Sequence, residues 1–249
     1  MSDQSSQINQ NQLPRTAPVI IGLLAILALI GFIGLYAETI HFSKLDSWSL
    51  ILLLLIAFVV LTGYGITGMW RGILIDYRNK LSLARLQVLA WTLLILSAYL
   101  AAVLLNISLG GDDILNITVP SELWTVMGIS TGSAIGASVI LAQKDKKQVT
   151  ADGKVSQQSV LHTHDAPQKA LWGDMLKGDD QALADVVDIG KLQMFLFTFI
   201  LILAYAAVLA KQFQSGNVIT ELPEIGEGMN VLLGISHMGY LSKKAIMRK

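Results

Sequence analysis

The sequence has no cysteine and few charged residues for its length. Across its 249 residues, the absence of cysteine excludes disulfide bonds, thiolate metal sites and a cysteine nucleophile. Charged residues make up 14% of the chain, about half of their share in soluble domains. The formal net charge is zero, so we expect no nucleic-acid partner. A hydrophobic share of 53% instead places the chain in the membrane class.

Long charge-free runs give the expected architecture. A helix needs ~20 apolar residues to cross the hydrocarbon layer. Six stretches lack Asp, Glu, Lys and Arg: 16–37, 47–70, 86–111, 123–143, 192–210 and 228–242. The last has only 15 residues, but Lys243 and Lys244 after it can reach the headgroups and extend it. The runs are apolar on all sides, so they predict an all-α integral membrane protein with six transmembrane helices.

The basic residues predict the orientation of these helices. With the N-terminus inside, 16 of the 18 lysines and arginines fall in cytoplasmic segments, and only Lys44 and Lys211 fall outside. Both termini are therefore predicted to be cytoplasmic. Residues 1–15 are expected to be a disordered cytoplasmic tail rather than a cleaved signal, and residues 244–249 a basic tail.

An internal repeat links two helix pairs. Residues 82–92 match residues 188–198 at an offset of 106, and the Gly-Ile-Ser run at 128–130 returns at 234–236 with the same offset. This predicts two parallel, direct copies of a transmembrane hairpin, 82–142 and 188–243. The hairpin 16–72 has the same in–out–in path, but whether it is a third copy stays open.

Polar side chains within the spans are candidates for pore lining. Gln87 and Gln193 enter the inner edge of the apolar zone, and Ser130, Ser236 and His237 lie deeper in the spans. Such groups either bond between helices or face a polar path, and the sequence leaves both interpretations open.

Small residues and interfacial anchors form two further groups of candidates. Gly128, Gly132, Gly136 and Gly234 are predicted to let helices pack closely within or between subunits. Arg85, Lys191 and Trp172 are predicted to anchor the chain at the inner headgroups. Trp172 belongs to an interfacial helix expected near 170–177, within the cytoplasmic loop 143–187.

Several kinds of chemistry are missing from the chain. No acid or base lies near the middle of any span, which argues against a proton-coupled carrier. No phosphate-binding loop, dinucleotide fingerprint or nucleophile motif occurs in the polar segments. We therefore expect no enzymatic activity, no cofactor and no metal site.

The motifs resemble a family of bacterial multi-pass membrane proteins of unassigned function. The resemblance covers about residues 81–241 and rests on the runs at 82–92, 126–130, 188–195 and 232–236, with Trp172, Gly178, Asp179 and Tyr240. Departures from the repeated pattern are Phe197 opposite Trp91 and Lys191 opposite Arg85. The resemblance implies a bacterial inner (cytoplasmic) membrane location and no particular activity.

The leading hypothesis from the sequence is an oligomeric channel-like protein that passes ions or small solutes. The expected partners are the lipid bilayer, further copies of the chain and the conducted species. The alternative is a non-conducting scaffold or signalling anchor whose cytoplasmic loop recruits a partner. A secondary carrier is the third hypothesis.

Overall fold

The chain is all-helical in the residues that the computed structural model describes: 13–36, 39, 41–110, 114–146, 161–215 and 217–245. The α-helices within them are α1 (Leu13–Tyr36), α2 (Lys44–Thr67), α3 (Leu83–Ser108), α4 (Ser121–Lys146), α5 (Ile189–Gln214) and α6 (Glu227–Ala245). Over these ranges there are isolated β-bridges but no strands, so the predicted all-α class is confirmed. Most of the predicted N-terminal tail, part of the loop 143–187 and the last four residues lie outside the described ranges.

Five of the helices, α1 to α5, are long and apolar enough to cross a membrane. The helix α6 forms where the sixth span was predicted, but its 19 residues include Asn230, His237 and two lysines in the last turn. It is too polar to be grouped with the other five. The count of six spans therefore stays a prediction.

Side-chain caps define where the central helices begin. Ser82 accepts a hydrogen bond from the backbone N–H of Arg85, and Asp188 accepts from those of Gly190 and Lys191. These residues satisfy backbone groups that the first turn of a helix leaves unpaired, a role that serine and aspartate commonly have at helix starts. Ser43 caps α2 in the same way, with Asp46 completing a reciprocal capping box. The helices α3 and α5 consequently start and end at positions displaced by 106 residues.

Helices α3 to α6 form a four-helix bundle. The helix α3 contacts α4 and α5, and α6 contacts both α4 and α5, so the four close into a ring. Half of the apolar window of α3 is buried, against 11% in α2. The helices α1 and α2 pack on the outside of α3 and expose most of their apolar surface. The helix α3 can lie at the centre because its buried residues Ala98, Ala101 and Ala102 have small side chains, which allow close helix contact.

The connections meet at two opposite ends of the bundle. At one end, called the bridge end, the backbone N–H of Thr118 donates to the Thr220 carbonyl at 2.8 Å, and Lys44 donates to the Asn217 carbonyl at 2.9 Å. The start of α2, the α3–α4 connection and the α5–α6 connection therefore lie together. The α2–α3 connection and residues 161–188 lie together at the other end, called the docked end.

Residues 161–188, called the docked segment, are folded against the bundle. Ala170 and Met175 are buried in one apolar cluster with Leu81, Leu83 and Met194. The segment is too short for a core of its own, and it completes one by using side chains of the bundle. Where the sequence predicted an interfacial helix near 170–177, the structure has a four-residue 3₁₀ turn, Trp172–Met175.

Asn106 provides a test of how the bridge end is held. Its buried amide donates to the Ile219 carbonyl at 2.7 Å and accepts from the Ile219 N–H at 3.1 Å. Asn106→Ala should lower the free energy of unfolding by about 2 to 4 kcal/mol, because two buried backbone groups lose their partners. Ser108→Ala is the control, since that hydroxyl only bonds the Leu105 carbonyl of its own helix. Equal midpoints for the two variants in thermal unfolding in detergent would contradict this role.

Candidate functional site

Gln87 joins α3 to α5 inside the bundle. Its Nε2 donates to Thr198 Oγ1 at 2.6 Å and to the Met194 carbonyl at 3.3 Å, and the side chain is buried. Its Oε1 has no hydrogen-bond partner among the described residues. Gln193, its counterpart in the predicted repeat, lies exposed on another face of α5. The structure therefore gives the two glutamines different surroundings.

Four buried polar residues lie on the facing helices α4 and α6. Ser130 and Ser133 belong to α4, and Ser236 and His237 belong to α6. All four are at most 4% exposed, and neither the hydroxyls nor the imidazole nitrogens have a hydrogen-bond partner among the described residues. Ser130 is nine residues into α4, which is about 14 Å along the helix and near mid-membrane depth. We call these four residues the polar core.

Unpaired polar groups at this depth need a physical explanation. A buried donor or acceptor without a partner destabilises a protein by about 1–3 kcal/mol. Buried polar groups in native proteins are nearly always satisfied by protein or by ordered water. The atoms of the polar core are closed to water in this arrangement, so water or a polar solute would reach them only if α4 and α6 moved apart.

An apolar layer lies between the polar core and the bridge end. Leu123 and Val126 precede Ser130 on α4, and Leu233 precedes Ser236 on α6. Trp91 of α3 belongs to the same buried cluster, and none of the four side chains is more than 1% exposed. These four residues are called the apolar layer; on α6, Asn230 lies between Leu233 and the bridge end.

A buried ion cluster lies at the docked end. The carboxylate of Asp179 is 9% exposed and forms three ion pairs of 3.0 Å, with Arg78, Lys191 and Lys244. These bases come from the α2–α3 connection, the first turn of α5 and the last turn of α6. Arg78 is also paired with Asp76 at 3.0 Å. One carboxylate of the docked segment thus ties together three parts of the chain.

The closely spaced bases of the ion cluster shift the pKa values of its members. Burial would raise the pKa of Asp179, but Lys244, Lys191 and Arg78 outweigh it and hold that pKa well below its usual value. Burial, together with the neighbouring charges of Arg78 and Lys191, lowers the pKa of Lys80 to about 8. Asp179 is therefore ionised at neutral pH, and Lys80 is an ammonium that its surroundings destabilise.

A second carboxylate organises the docked segment. Asp174 accepts from the backbone N–H of Leu171 at 2.8 Å and pairs with His164 Nε2 at 3.1 Å. The backbone N–H of His164 donates to the Arg78 carbonyl at 3.0 Å, and Asn79 Nδ2 donates to the His164 carbonyl at 2.7 Å. These bonds hold the segment against the α2–α3 connection.

The three predicted anchors occupy different environments. Lys191 is buried, and its ammonium contacts Asp179 and the Lys177 carbonyl within the protein rather than the headgroups. Arg85 is exposed, although its Nη1 donates to the Ile75 carbonyl at 2.6 Å. Trp172 is 61% exposed and lines an apolar cavity of about 970 Å³ between α2, α3 and α5.

The predicted packing glycines also divide into two groups. Gly128 and Gly132 lie exposed on α4, and a methyl group added there would meet no atom within 4 Å. A methyl group at Gly136 would touch the Leu241 side chain at 3.4 Å, and one at Gly234 would touch Ile129 at 3.9 Å. Only the second pair therefore faces the α4–α6 contact within one chain.

Sequence reasoning missed the ion cluster and part of the polar core. The sequence offers Asp179 only as one charged residue of a polar loop, and the partners that bury it come from distant parts of the chain. In the structure the turn before it is tightly enclosed, because a methyl group at Gly178 would approach the Leu183 carbonyl oxygen to 2.5 Å. Ser133 is not among the polar candidates named from the sequence, although its position one turn after Ser130, on the same helix face, is a signal that could have found it.

The fold and these features define an all-helical protein with five helices suited to cross a membrane. Comparison with protein-family models, curated proteins and solved structures finds no match for the chain.

Asp179→Asn tests the ion cluster. The change removes the one carboxylate shared by three buried bases, so we expect the free energy of unfolding to fall by about 3–5 kcal/mol. Asp185→Asn is the matched control, because Asp185 is 96% exposed and pairs only with Lys177, also in the docked segment. Thermal unfolding of both variants in detergent provides the measurement. A small, equal effect of the two changes would show that the cluster does not hold the docked end.

Proposed function

We propose that this protein is a multi-pass inner-membrane channel that passes ions or small polar solutes through the bundle α3–α6. The observation that carries the proposal is the polar core, with four buried side chains that have no hydrogen-bond partners in the described chain. Groups left unpaired in the resting fold are available to replace part of the hydration shell of a passing species. This assigns conduction to the interior of one bundle.

The proposal includes a closed gate. The apolar layer lies next to the polar core on the side of the bridge end, and its residues are fully packed. Apolar constrictions exclude water and block ions without a charged barrier. On the other side, Tyr240 follows the polar core on α6, and its hydroxyl accepts a hydrogen bond from Lys244 at 2.7 Å. Polar groups thus continue from the core to the docked end.

The proposed topology has six spans with both termini in the cytoplasm. The 19 residues of α6 extend about 28 Å, close to the ~30 Å hydrocarbon thickness. Its packing against α4 and α5 shelters its polar residues from lipid. The basic residues of the docked end support a cytoplasmic location for that end. The resemblance to bacterial inner-membrane proteins supports the choice of membrane.

The proposal retains two parallel hairpins and assembly into a homo-oligomer. The equal displacement of 106 residues between α3 and α5 supports the hairpin repeat. Gly128 and Gly132 support the oligomer, because they leave an exposed small-residue face on α4 that a helix of another copy can approach.

One observation favours the second candidate, a non-conducting scaffold. The docked segment exposes several large apolar side chains, each more than half exposed: Leu171, Trp172, Val186 and Val187. A cytoplasmic partner could contact them without any solute crossing the membrane. The flux experiment below separates this candidate from the channel.

Cysteine labelling tests the proposed topology. The chain has no cysteine, so single cysteines can be placed at Ser121, Glu224 and Lys169 in an otherwise unreactive protein. A membrane-impermeant maleimide should label Ser121→Cys and Glu224→Cys in spheroplasts, and Lys169→Cys only after permeabilisation. The unsubstituted protein is the blank. Labelling of positions 121 and 224 from opposite sides would refute the parallel hairpins.

Flux through proteoliposomes tests the channel. The double variant Ser130→Ala with Ser236→Ala should reduce the flux of K⁺, Cl⁻ or glycerol, whichever the unsubstituted protein conducts, by about tenfold, as for a loss of 1.4 kcal/mol. The same variant should unfold at an equal or higher temperature, because it removes hydroxyls that are buried and unpaired.

Ser138→Ala is the matched control for this experiment. Ser138 is exposed on α4, and its hydroxyl donates to the Ala134 carbonyl of its own helix at 2.9 Å. This variant should conduct like the unsubstituted protein. If the unsubstituted protein passes none of the three probes above empty vesicles, across pH and voltage, the channel is wrong and the scaffold takes its place.

A further inference from the structure

A second cavity lies at the docked end, separate from the polar core. It has a volume of about 330 Å³ and lies between the α2–α3 connection, the C-terminal half of α4 and the end of α6. Three bases line it, Arg78, Arg85 and Lys244, together with one acid, Asp76. Ile135 and Val139 of α4 also line it, and both are exposed on the outside of the bundle. The cavity therefore combines a basic interior with an apolar rim.

Positive charge is in excess along the wall of this cavity. Its lining contains three bases, Arg78, Arg85 and Lys244, and one acid, Asp76. Burying a charge is unfavourable unless an opposite charge accompanies it, so this lining is suited to an anion.

Arg78 identifies where that anion can bind. The side chain is only 5% exposed, and its Nε and Nη2 donate to Asp76 at 3.1 and 3.0 Å. Its Nη1 is buried and has no hydrogen-bond partner among the described residues. Arg78 lines the cavity, and its Nη1 is a donor that lacks an acceptor, so a small shift of the guanidinium would bring this donor to an anion in the cavity.

We propose that this cavity binds a phosphate group, with Arg78, Arg85 and Lys244 as its basic contacts. Phosphate oxygens suit guanidinium donors, which form charge-assisted hydrogen bonds with them. A bound phosphate monoanion offsets positive charge at the cavity wall. The site uses none of the four residues of the polar core, although it shares Lys244 with the polar groups that continue from the core to the docked end.

The rim indicates the source of the phosphate. Exposed Ile135 and Val139 lead from the basic interior onto the apolar outer surface of α4. An anionic phospholipid matches this arrangement, with its headgroup in the cavity and its acyl chains along α4. Basic pockets between helices on the cytoplasmic side bind lipid headgroups by the same physics. A free phosphate shares the headgroup chemistry but makes no use of the rim.

Lipid-dependent unfolding of the full chain tests the proposal. Purified protein in a neutral detergent receives phosphatidylglycerol, phosphatidylcholine or inorganic phosphate, and the midpoint of thermal unfolding is measured against concentration. Phosphatidylglycerol should raise the midpoint and phosphatidylcholine should not. Arg85→Gln should weaken the apparent affinity for phosphatidylglycerol about tenfold or more, the effect of one lost charged hydrogen bond.

Two further variants make the result specific. Arg71→Gln is the matched control, because Arg71 also lies at the docked end but lines the larger apolar cavity instead. It should keep the response to phosphatidylglycerol. Ser138→Trp fills the cavity without changing any charge, and it should abolish the response.

The outcomes separate the sources of phosphate. A response to phosphatidylglycerol that depends on Arg85 supports a lipid site, and an Arg85-dependent response to inorganic phosphate of equal size assigns the site to a soluble phosphate compound. The proposal is overturned if phosphatidylcholine acts as well as phosphatidylglycerol. It is also overturned if Arg71→Gln and Arg85→Gln weaken binding equally, or if neither phosphate source produces a response that needs Arg85.

Discussion

The ion pairs of Asp179 are the constraint on which the docked end depends. A carboxylate of the docked segment contacts bases from the α2–α3 connection, α5 and α6, so elements far apart in sequence share one buried charge. Removing one member of such a cluster leaves uncompensated charge in a low-dielectric interior. The docked segment is therefore fixed against the bundle by charge as well as by Ala170 and Met175.

The same arrangement explains why polar groups follow one another along α6. Lys244 pairs with Asp179 and donates to Tyr240, and the buried residues Ser236 and His237 lie one turn deeper. Beyond them lies the apolar layer, in which the indole nitrogen of Trp91 is unpaired, and Asn230 with its unpaired Oδ1 follows on α6 towards the bridge end. The described side chains thus change from ionic to polar to mainly apolar along the bundle, which is the physical basis of the proposed gated path.

Local patterns predicted much of the architecture. The charge-free runs predicted where the six helices lie, because a run without charged side chains favours a buried or lipid-facing helix over a loop. Ser82 and Asp188 identified the starts of α3 and α5, since a cap acts on backbone groups only two or three residues away. The interfacial helix near 170–177 was expected from local amphipathicity, but its residues form a 3₁₀ turn stabilised by Asp174.

By itself the sequence determined the helical class, the helix positions and the caps, because these depend on interactions within a few residues. Tertiary structure alone decided which polar residues are buried. Gln87 is buried against Thr198, while Gln193, its counterpart in the repeat, is exposed. Lys191 resembled a headgroup anchor but pairs with Asp179. The physical reason is that the free energy of burying a charged or polar side chain depends on its hydrogen-bond and ion-pair partners. These partners lie in distant parts of the chain, so a local sequence pattern does not reveal them.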